Sequence, residues 1–223
     1  LTLTLVLALL GTASTVLLLV DFQLKLKARE VASGSMSSSF EVGTSPSSTS
    51  RSQVDGIIRR GEYAYLYRDL QNDLDLYWRI DESQGLIYLG MTCTLRGRMA
   101  ISFEPTGPRM KGGDILVAYV KDGQVEAQDA YADQLTSQRA DRDLGGTDDI
   151  LEKAGSQDPQ RTTIELVRKL DTKDGFDKPI TRNTMRIQTA CSDLPNFVGL
   201  YADTWTTIQV DFYKGTTDPA SPP

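Results

Sequence analysis

Between Glu62 and Tyr213 apolar and polar residues alternate with a period of two, the pattern of strands that bury one face. The alternation predicts strands at Glu62–Asp69, Asp73–Ile80, Leu86–Leu95, Arg98–Glu104, Asp114–Lys121, Gln124–Tyr131, Thr162–Lys169, Thr184–Ala190 and Thr206–Tyr213. Turn dipeptides fall between them: Gln84-Gly85, Arg96-Gly97, Asp122-Gly123 and Asp174-Gly175. Many short strands at this spacing predict an all-β fold, an immunoglobulin-like antiparallel β-sandwich, rather than an α/β fold. The polar stretch Asp133–Lys153 reads as a long loop with a short strand.

The first twenty residues follow another pattern. Leu1–Val20 carries no charge and is mostly Leu, Val, Ala and Thr. As a helix rising about 1.5 Å per residue, it reaches roughly 30 Å, the thickness of a bilayer core. Phe22–Glu30 is charged and extends that helix. Residues 31–53 are rich in Ser, Gly and Thr and read as a linker. The organisation expected is therefore a hydrophobic N-terminal α-helix at 1–30, the linker at 31–53, the sandwich at 54–214 and a loose, Pro-rich tail at 215–223. The chain starts at Leu1 without Met, which leaves open a retained membrane anchor, a processed terminus or a fragment. A cleaved signal peptide would carry a basic n-region, which is absent here. Leu1–Glu30 resembles the helix of archaeal type IV pilin-like proteins, although position 5 is Leu5 where the bacterial pattern has Glu. That resemblance implies membrane insertion before assembly, then self-association into a filament through Leu1, Leu3, Leu5, Val6, Leu9, Leu10, Val16 and Leu18.

Composition removes several classes of chemistry. The chain has no histidine, so Ser-His-Asp and Cys-His nucleophilic systems and His-ligated metals are excluded. No paired carboxylates framed by apolar residues stand out for acid–base catalysis, so no catalytic residue and no enzyme activity is expected. A net charge of -6, with basic residues scattered among acidic ones, argues against nucleic acid as partner. Cys93 and Cys191 lie on two predicted strands without CxxC spacing, which leaves a disulfide or two buried thiols. An extracytoplasmic address favours the disulfide.

From Val54 to Asp193 a series of motifs resembles the DOMON family. They are Asp55-Gly56 with Gly61-Glu62-Tyr63, then Leu76-Tyr77-Trp78-Arg79-Ile80-Asp81, then the stretch Gly97–Phe103. Met110-Lys111-Gly112-Gly113-Asp114-Ile115-Leu116-Val117 is the most specific, followed by Asp122-Gly123, Asp129-Ala130-Tyr131 and Arg168–Thr172 with Asp174. The resemblance implies an extracellular sandwich from a family of haem b binders, suspected sugar binders and members without known ligand. Haem-binding members use a methionine in the segment matched by Met110 and a late histidine. This chain keeps the methionine and lacks any histidine. A methionine–lysine pair, as in the haem subunit of ethylbenzene dehydrogenase-type enzymes, leaves Met110 with Lys111 or Lys178, and Met185 is a further thioether. The simpler reading is that Met110 and Met99 fill the core.

The remaining candidates carry bland and specific readings side by side. Trp78, Tyr63, Tyr65 and Tyr77 suit a carbohydrate-stacking platform or, more simply, core and cross-strand pairs. Asp114 and Asp129 suit calcium if loop carbonyls join them, or bonds to turn amides. Asp141, Asp143, Asp148 and Asp149 read as a solvated acidic loop, and no metal site is expected. The sequence thus leads to a non-enzymatic cell-surface structural protein, a filament subunit without cofactor. The alternative is a membrane-tethered module binding haem b or carbohydrate.

Overall fold

The structure, a computed structural model, describes residues 40–42, 54–107, 109–198 and 205–219. In chain order the elements are β1 (Phe40–Val42), β2 (Tyr65–Asp69), β3 (Leu74–Asp81), β4 (Leu86–Cys93), β5 (Met99–Phe103), β6 (Asp114–Lys121) and β7 (Gln124–Tyr131). Then come β8 (Arg139–Ala140), α1 (Asp141–Leu144), β9 (Glu152–Gln157), β10 (Thr162–Lys169), β11 (Met185–Cys191), β12 (Thr206–Asp211) and β13 (Thr216–Pro219). They form two antiparallel sheets, ordered β1-β2-β3-β4-β10-β9 and β13-β12-β11-β5-β6-β7-β8. The expected β-sandwich is the fold.

Alternation explains how the sheets meet. On β3, Leu74, Leu76 and Trp78 point into the gap between the sheets while the residues between them are partly exposed. Ile87, Leu89, Met91 and Cys93 of β4 and Ile164 and Leu166 of β10 join them from the same sheet. Met99, Ile101 and Phe103 of β5, Leu116, Ala118 and Val120 of β6, and Met185, Ile187 and Cys191 of β11 face them from the other. Trp78 is fully buried, its indole N–H donates to the Phe212 carbonyl at 3.0 Å, and its ring meets Phe212 edge-on at 5.7 Å. A buried Trp needs such an acceptor. Cys93 and Cys191 both point inward and are joined by a disulfide with Cα atoms 6.7 Å apart, stapling one sheet to the other.

The central strands are buried on both faces, which is why β5 and most of β6 read as continuous apolar runs. Outside the first sheet, Tyr63 and Ile58 pack on Tyr88 and Val167, and the buried Glu165 carboxylate accepts from Tyr63 Oη at 2.8 Å and from the Gly56 and Asp55 amides. Residues 62–64, expected to begin β2, belong to this covering segment instead.

Two glycines are required by geometry. Asp122 and Gly123 both have positive φ, 50° and 75°, the two-residue turn that closes the β6–β7 hairpin. At Gly97 a Cβ would sit 2.2 Å from the Ser192 carbonyl oxygen and 2.3 Å from the backbone of 193–194, so only glycine fits the crossing from β4 to β5.

Several boundaries differ from the sequence reading. The tail expected to be loose includes β13, whose Thr216–Pro219 pairs with β12. The linker at 31–53 contains β1, paired with β2. The loop at Asp133–Lys153 holds α1 as well as β8 and runs into β9, a polar edge strand without clear alternation. Asp174-Gly175 does not close a hairpin but lies in the connection from β10 to β11. The helix expected at 1–30, with its assembly residues Leu1, Leu3, Leu5, Val6, Leu9, Leu10, Val16 and Leu18, lies outside the described residues. Among the described residues no helix is long and apolar enough to cross a membrane.

Candidate functional site

Two places combine unusual burial with chemistry. The first is the outer face of the second sheet. Ala100 of β5, Ile115 and Val117 of β6 and Ala130 of β7 point outward there, and with Ala132 and Met110 they form an apolar cluster separate from the inter-sheet core. Met110 comes from the connection between β5 and β6, whose turn is fixed by Gly113 N–H donating to the Met110 carbonyl at 2.9 Å. The methionine is 1% exposed. Phe197 and Trp205 pack over this cluster, and Phe197 also stacks against Tyr119 with centroids 4.9 Å apart.

The covering segment is held by Gln138, whose side-chain N–H donates to the Phe197 carbonyl at 2.8 Å, and by Arg98. The Arg98 guanidinium donates to the carbonyls of Asn196 and Val198 and to Asn196 Oδ1, each at 2.9 Å. Beside Met110's segment, the outward-facing cross-strand pair Ser102 and Gln188 is buried, and Ser102 Oγ and Gln188 Oε1 have no hydrogen-bond partner among the described residues. Small alanines, a thioether and two unpartnered polar atoms are thus buried together under an aromatic cover.

The proposed ligand residues do not converge. Met110 lies on the outer face, whereas Met185 belongs to the core between the sheets, and Lys111 is exposed. Lys178 is engaged through its backbone N–H, which donates to Asp114 Oδ2 at 2.7 Å. The aromatic platform does not assemble either: Trp78 faces the inter-sheet core while Tyr77, next to it on β3, points to the opposite side of the sheet and meets Tyr63 at 6.0 Å.

The second place is a group of buried acids where the inter-sheet core ends. Arg168 continues the inward series Ile164, Leu166 on β10, and is fully buried. Opposite it, Asp114 continues the inward series of β6, and Asp129 sits across from Leu116 on β7. Asp177 joins from the connection between β10 and β11, and Asp141 is the first residue of α1. Arg168 Nη1 donates to Asp114 Oδ2 at 2.8 Å, and its Nη2 lies 3.4 Å from Asp177 Oδ2. Asp129 Oδ2 accepts from the Asp149 amide at 2.8 Å.

Those contacts leave four carboxylate oxygens without a donor among the described residues, Oδ1 of Asp114 and of Asp129 and both oxygens of Asp141, while Asp177 has Arg168 and the Thr172 side chain beside it. One oxygen each of Asp114, Asp129 and Asp177 lies within 4.8 Å of the others. At that separation and an effective dielectric constant of about 20, each ionised pair repels by about 3.5 kcal/mol. Three such pairs cost about 10 kcal/mol, comparable with the whole net stability of a domain. On the same scale Arg168, 2.8 Å from Asp114 and 3.4 Å from Asp177, offsets repulsion of about that size, so it is the burial of the carboxylates that most disfavours their ionisation. Burial, then the neighbouring Asp177 charge, pushes Asp129 up to about 8, and the same two causes push Asp141 up to about 8. Asp114 rises only to about 6, because Arg168 opposes the cost of burial. Burial raises Asp177 as well, with Arg168 again opposing it.

Asp114 and Asp129 were legible as calcium candidates, but Asp177 and Asp141 were not. Asp141 was expected in a solvated acidic loop and is instead fully buried, because α1 turns its first residue inward. The missed signal was parity: Arg168 falls on the inward series of a strand whose other inward residues are aliphatic, and an inward arginine requires buried acids.

The sequence profile of the DOMON domain matches residues 70–191. No curated protein matches the chain in sequence. Among solved structures, the cytochrome b domain of pyranose dehydrogenase from Coprinopsis cinerea superposes with a TM-score of 0.53 at 14% identity, covering 69% of this chain and 83% of that one. The cytochrome domain of Myriococcum thermophilum cellobiose dehydrogenase gives a TM-score of 0.40 at 9% identity, over 58% of this chain and 70% of that one.

Proposed function

Because the chain belongs to the DOMON domain family, we propose that it is a non-enzymatic, extracytoplasmic ligand-binding module that takes a flat apolar ligand of the haem b class on the outer face of its second sheet. The observation that carries the reading is the buried Met110 cluster with its own aromatic cover, on a sheet face that a simple sandwich leaves to solvent. The similarity of fold to a domain named as a cytochrome b domain supports the choice of haem as first ligand. The inter-sheet disulfide supports an oxidising compartment.

The residues fit such a group on one side only. Met110 would hold it through sulfur, and the alanine floor with Phe197 and Trp205 would enclose it. Met185 lies in the inter-sheet core, so no second protein ligand comes from it, and Lys111 is exposed. Bound haem would supply one-electron transfer. The chain's own part is to place a soft sulfur donor in a dry, apolar setting. Arg98 and Gln138 set access, since their hydrogen bonds hold the segment that carries Phe197.

The test is hemin titration of the full-length chain in detergent, followed by visible absorption. The expected result is a saturable Soret band at one equivalent, lost in Met110→Ala and kept in Met185→Leu. Absence of a saturable band in the wild-type chain would overturn the haem reading, and an unchanged band in Met110→Ala would overturn the assignment of the face.

A further inference from the structure

We propose that Asp114, Asp129, Asp141 and Asp177 form a divalent-cation site of the calcium class at the end of the inter-sheet core, with Arg168 as its fixed neighbour. The proposal is independent of the ligand reading, because the site lies inside the sandwich and the Met110 face lies outside the second sheet.

Four strands of observation support it. The oxygens contributed by Asp114, Asp129 and Asp177 lie within 4.8 Å of one another. Calcium–oxygen distances of about 2.3–2.6 Å place opposite ligands roughly 4.6–5.2 Å apart, so that spacing suits the ion. Asp141, from a different element, is fully buried with both oxygens unpartnered among the described residues, and its carboxyl group is within hydrogen-bonding reach of Asp177. Two facing carboxylates offer each other no donor unless one is protonated. Charge points the same way: four carboxylates against one guanidinium leave a formal charge of −3, which a divalent ion brings to −1.

The supporting contacts hold the acids in place for this purpose. Asp114 keeps Oδ2 on Arg168 Nη1 and the Lys178 amide, which leaves Oδ1 free. Asp129 keeps Oδ2 on the Asp149 amide and likewise leaves Oδ1 free. Asp174 accepts from the Thr147 and Phe176 amides and so ties together the two connections that flank the group. Four oxygens without a donor, on Asp114, Asp129 and Asp141, with Asp177 beside them, suit calcium, which takes oxygen ligands with flexible geometry and completes its shell from carbonyls or water. Magnesium demands strict octahedral geometry and retains waters, which buried carboxylates on four separate elements serve poorly. The bound ion would link β6, β7, α1 and the β10–β11 connection.

The experiment uses the full-length chain in detergent, stripped with EDTA, with thermal unfolding and isothermal calorimetry in CaCl2 or MgCl2. Calcium at about a hundred times its Kd is expected to raise Tm by about 5–10 °C, with one ion bound per chain. Magnesium at the same concentration is expected to give less than a third of that rise. Asp129→Asn is expected to fold with an EDTA-state Tm no lower than wild type, because it removes a buried charge, and to lose the calcium response. If that variant fails to fold, Asp141→Asn serves in its place. A Tm identical in EDTA and in 10 mM CaCl2 would mean that protons alone neutralise the group and would overturn the proposal. A full calcium response in a folded Asp129→Asn or Asp141→Asn chain would overturn it as well, and an equal response to magnesium would overturn the calcium assignment.

Discussion

Removing the Cys93–Cys191 disulfide probes how far the two sheets depend on a covalent staple. The bridge spans 98 residues of sequence and joins β4 of one sheet to β11 of the other. Both cysteines are buried in the inter-sheet core, at 0% and 4% exposure, so the bond sits where the sheets are already packed. Its main effect is therefore on the unfolded chain, where closing a loop of about 100 residues is worth about 4.7 kcal/mol. Paired Cys93→Ala and Cys191→Ala substitutions add a small loss of packing and leave no new polar group. For a domain of this size about 1 kcal/mol moves Tm by about 2–4 °C, so the double variant should melt about 10–20 °C lower. Calorimetry of wild type, reduced wild type and the double variant provides the assay, with urea unfolding as the second readout. Reduced wild type and the double variant should agree within a few degrees. A double variant within about 3 °C of oxidised wild type would refute the reasoning, because the staple would then add nothing beyond the packing around it.

Arg168→Met should cost about 3–5 kcal/mol in urea unfolding, because it leaves Asp114 and Asp177 buried without their cation. A loss under about 1 kcal/mol would show that those acids are already neutral when folded. In EDTA, stability should fall as pH rises from about 4 to 8. Asp129 and Asp141 are pushed up to about 8 in the fold, while an unfolded Asp ionises near about 3.9, so unfolding releases protons across that window. Their contribution is full below about pH 4 and is lost as pH passes the folded values. A urea midpoint in EDTA that is higher at pH 8 than at pH 5 would contradict that sign.

Strand by strand, the sandwich was readable because alternation and burial coincide on β3, and because the short runs of β4, β6 and β11, bounded by turns, are buried on both faces. The Asp122-Gly123 turn was readable because two consecutive positive φ angles restrict the residues that fit. Elements that escaped were those whose order comes from pairing rather than from their own pattern. β9 (EKAGSQ) and β13 (TTDP) have no apolar face to announce them, and they are strands because β10 and β12 present free edges. The site divided in the same way. Met110 was found through a motif, but which side of the sheet it occupies depends on the path of the β5–β6 connection, and that path separates it from Met185. Asp114 and Asp129 were visible as candidates, whereas Asp177 and Asp141 lie on connections without a repeating pattern, so no periodicity marks them as buried.

The strand β6 shows why both candidate sites occur in one small domain. Its alternation sends Leu116, Ala118 and Val120 into the inter-sheet core and Ile115 and Val117 into the outer cluster, so both of its faces are dry. Its first inward residue is Asp114, placed where the aliphatic core gives way and where Arg168 arrives from the facing sheet. A strand buried on both sides carries a carboxylate only where another charged group answers it, because an unpaired buried charge costs several kcal/mol. One arginine answers one carboxylate well, yet this end of the sandwich holds four. The excess is not explained by folding: asparagine at Asp129 or Asp141 would keep the shape and remove the repulsion. Acids kept at a position where neutral isosteres would serve the fold better point to something the charge attracts. On the proposals above that is a cation, at the opposite side of the second sheet from the proposed ligand face.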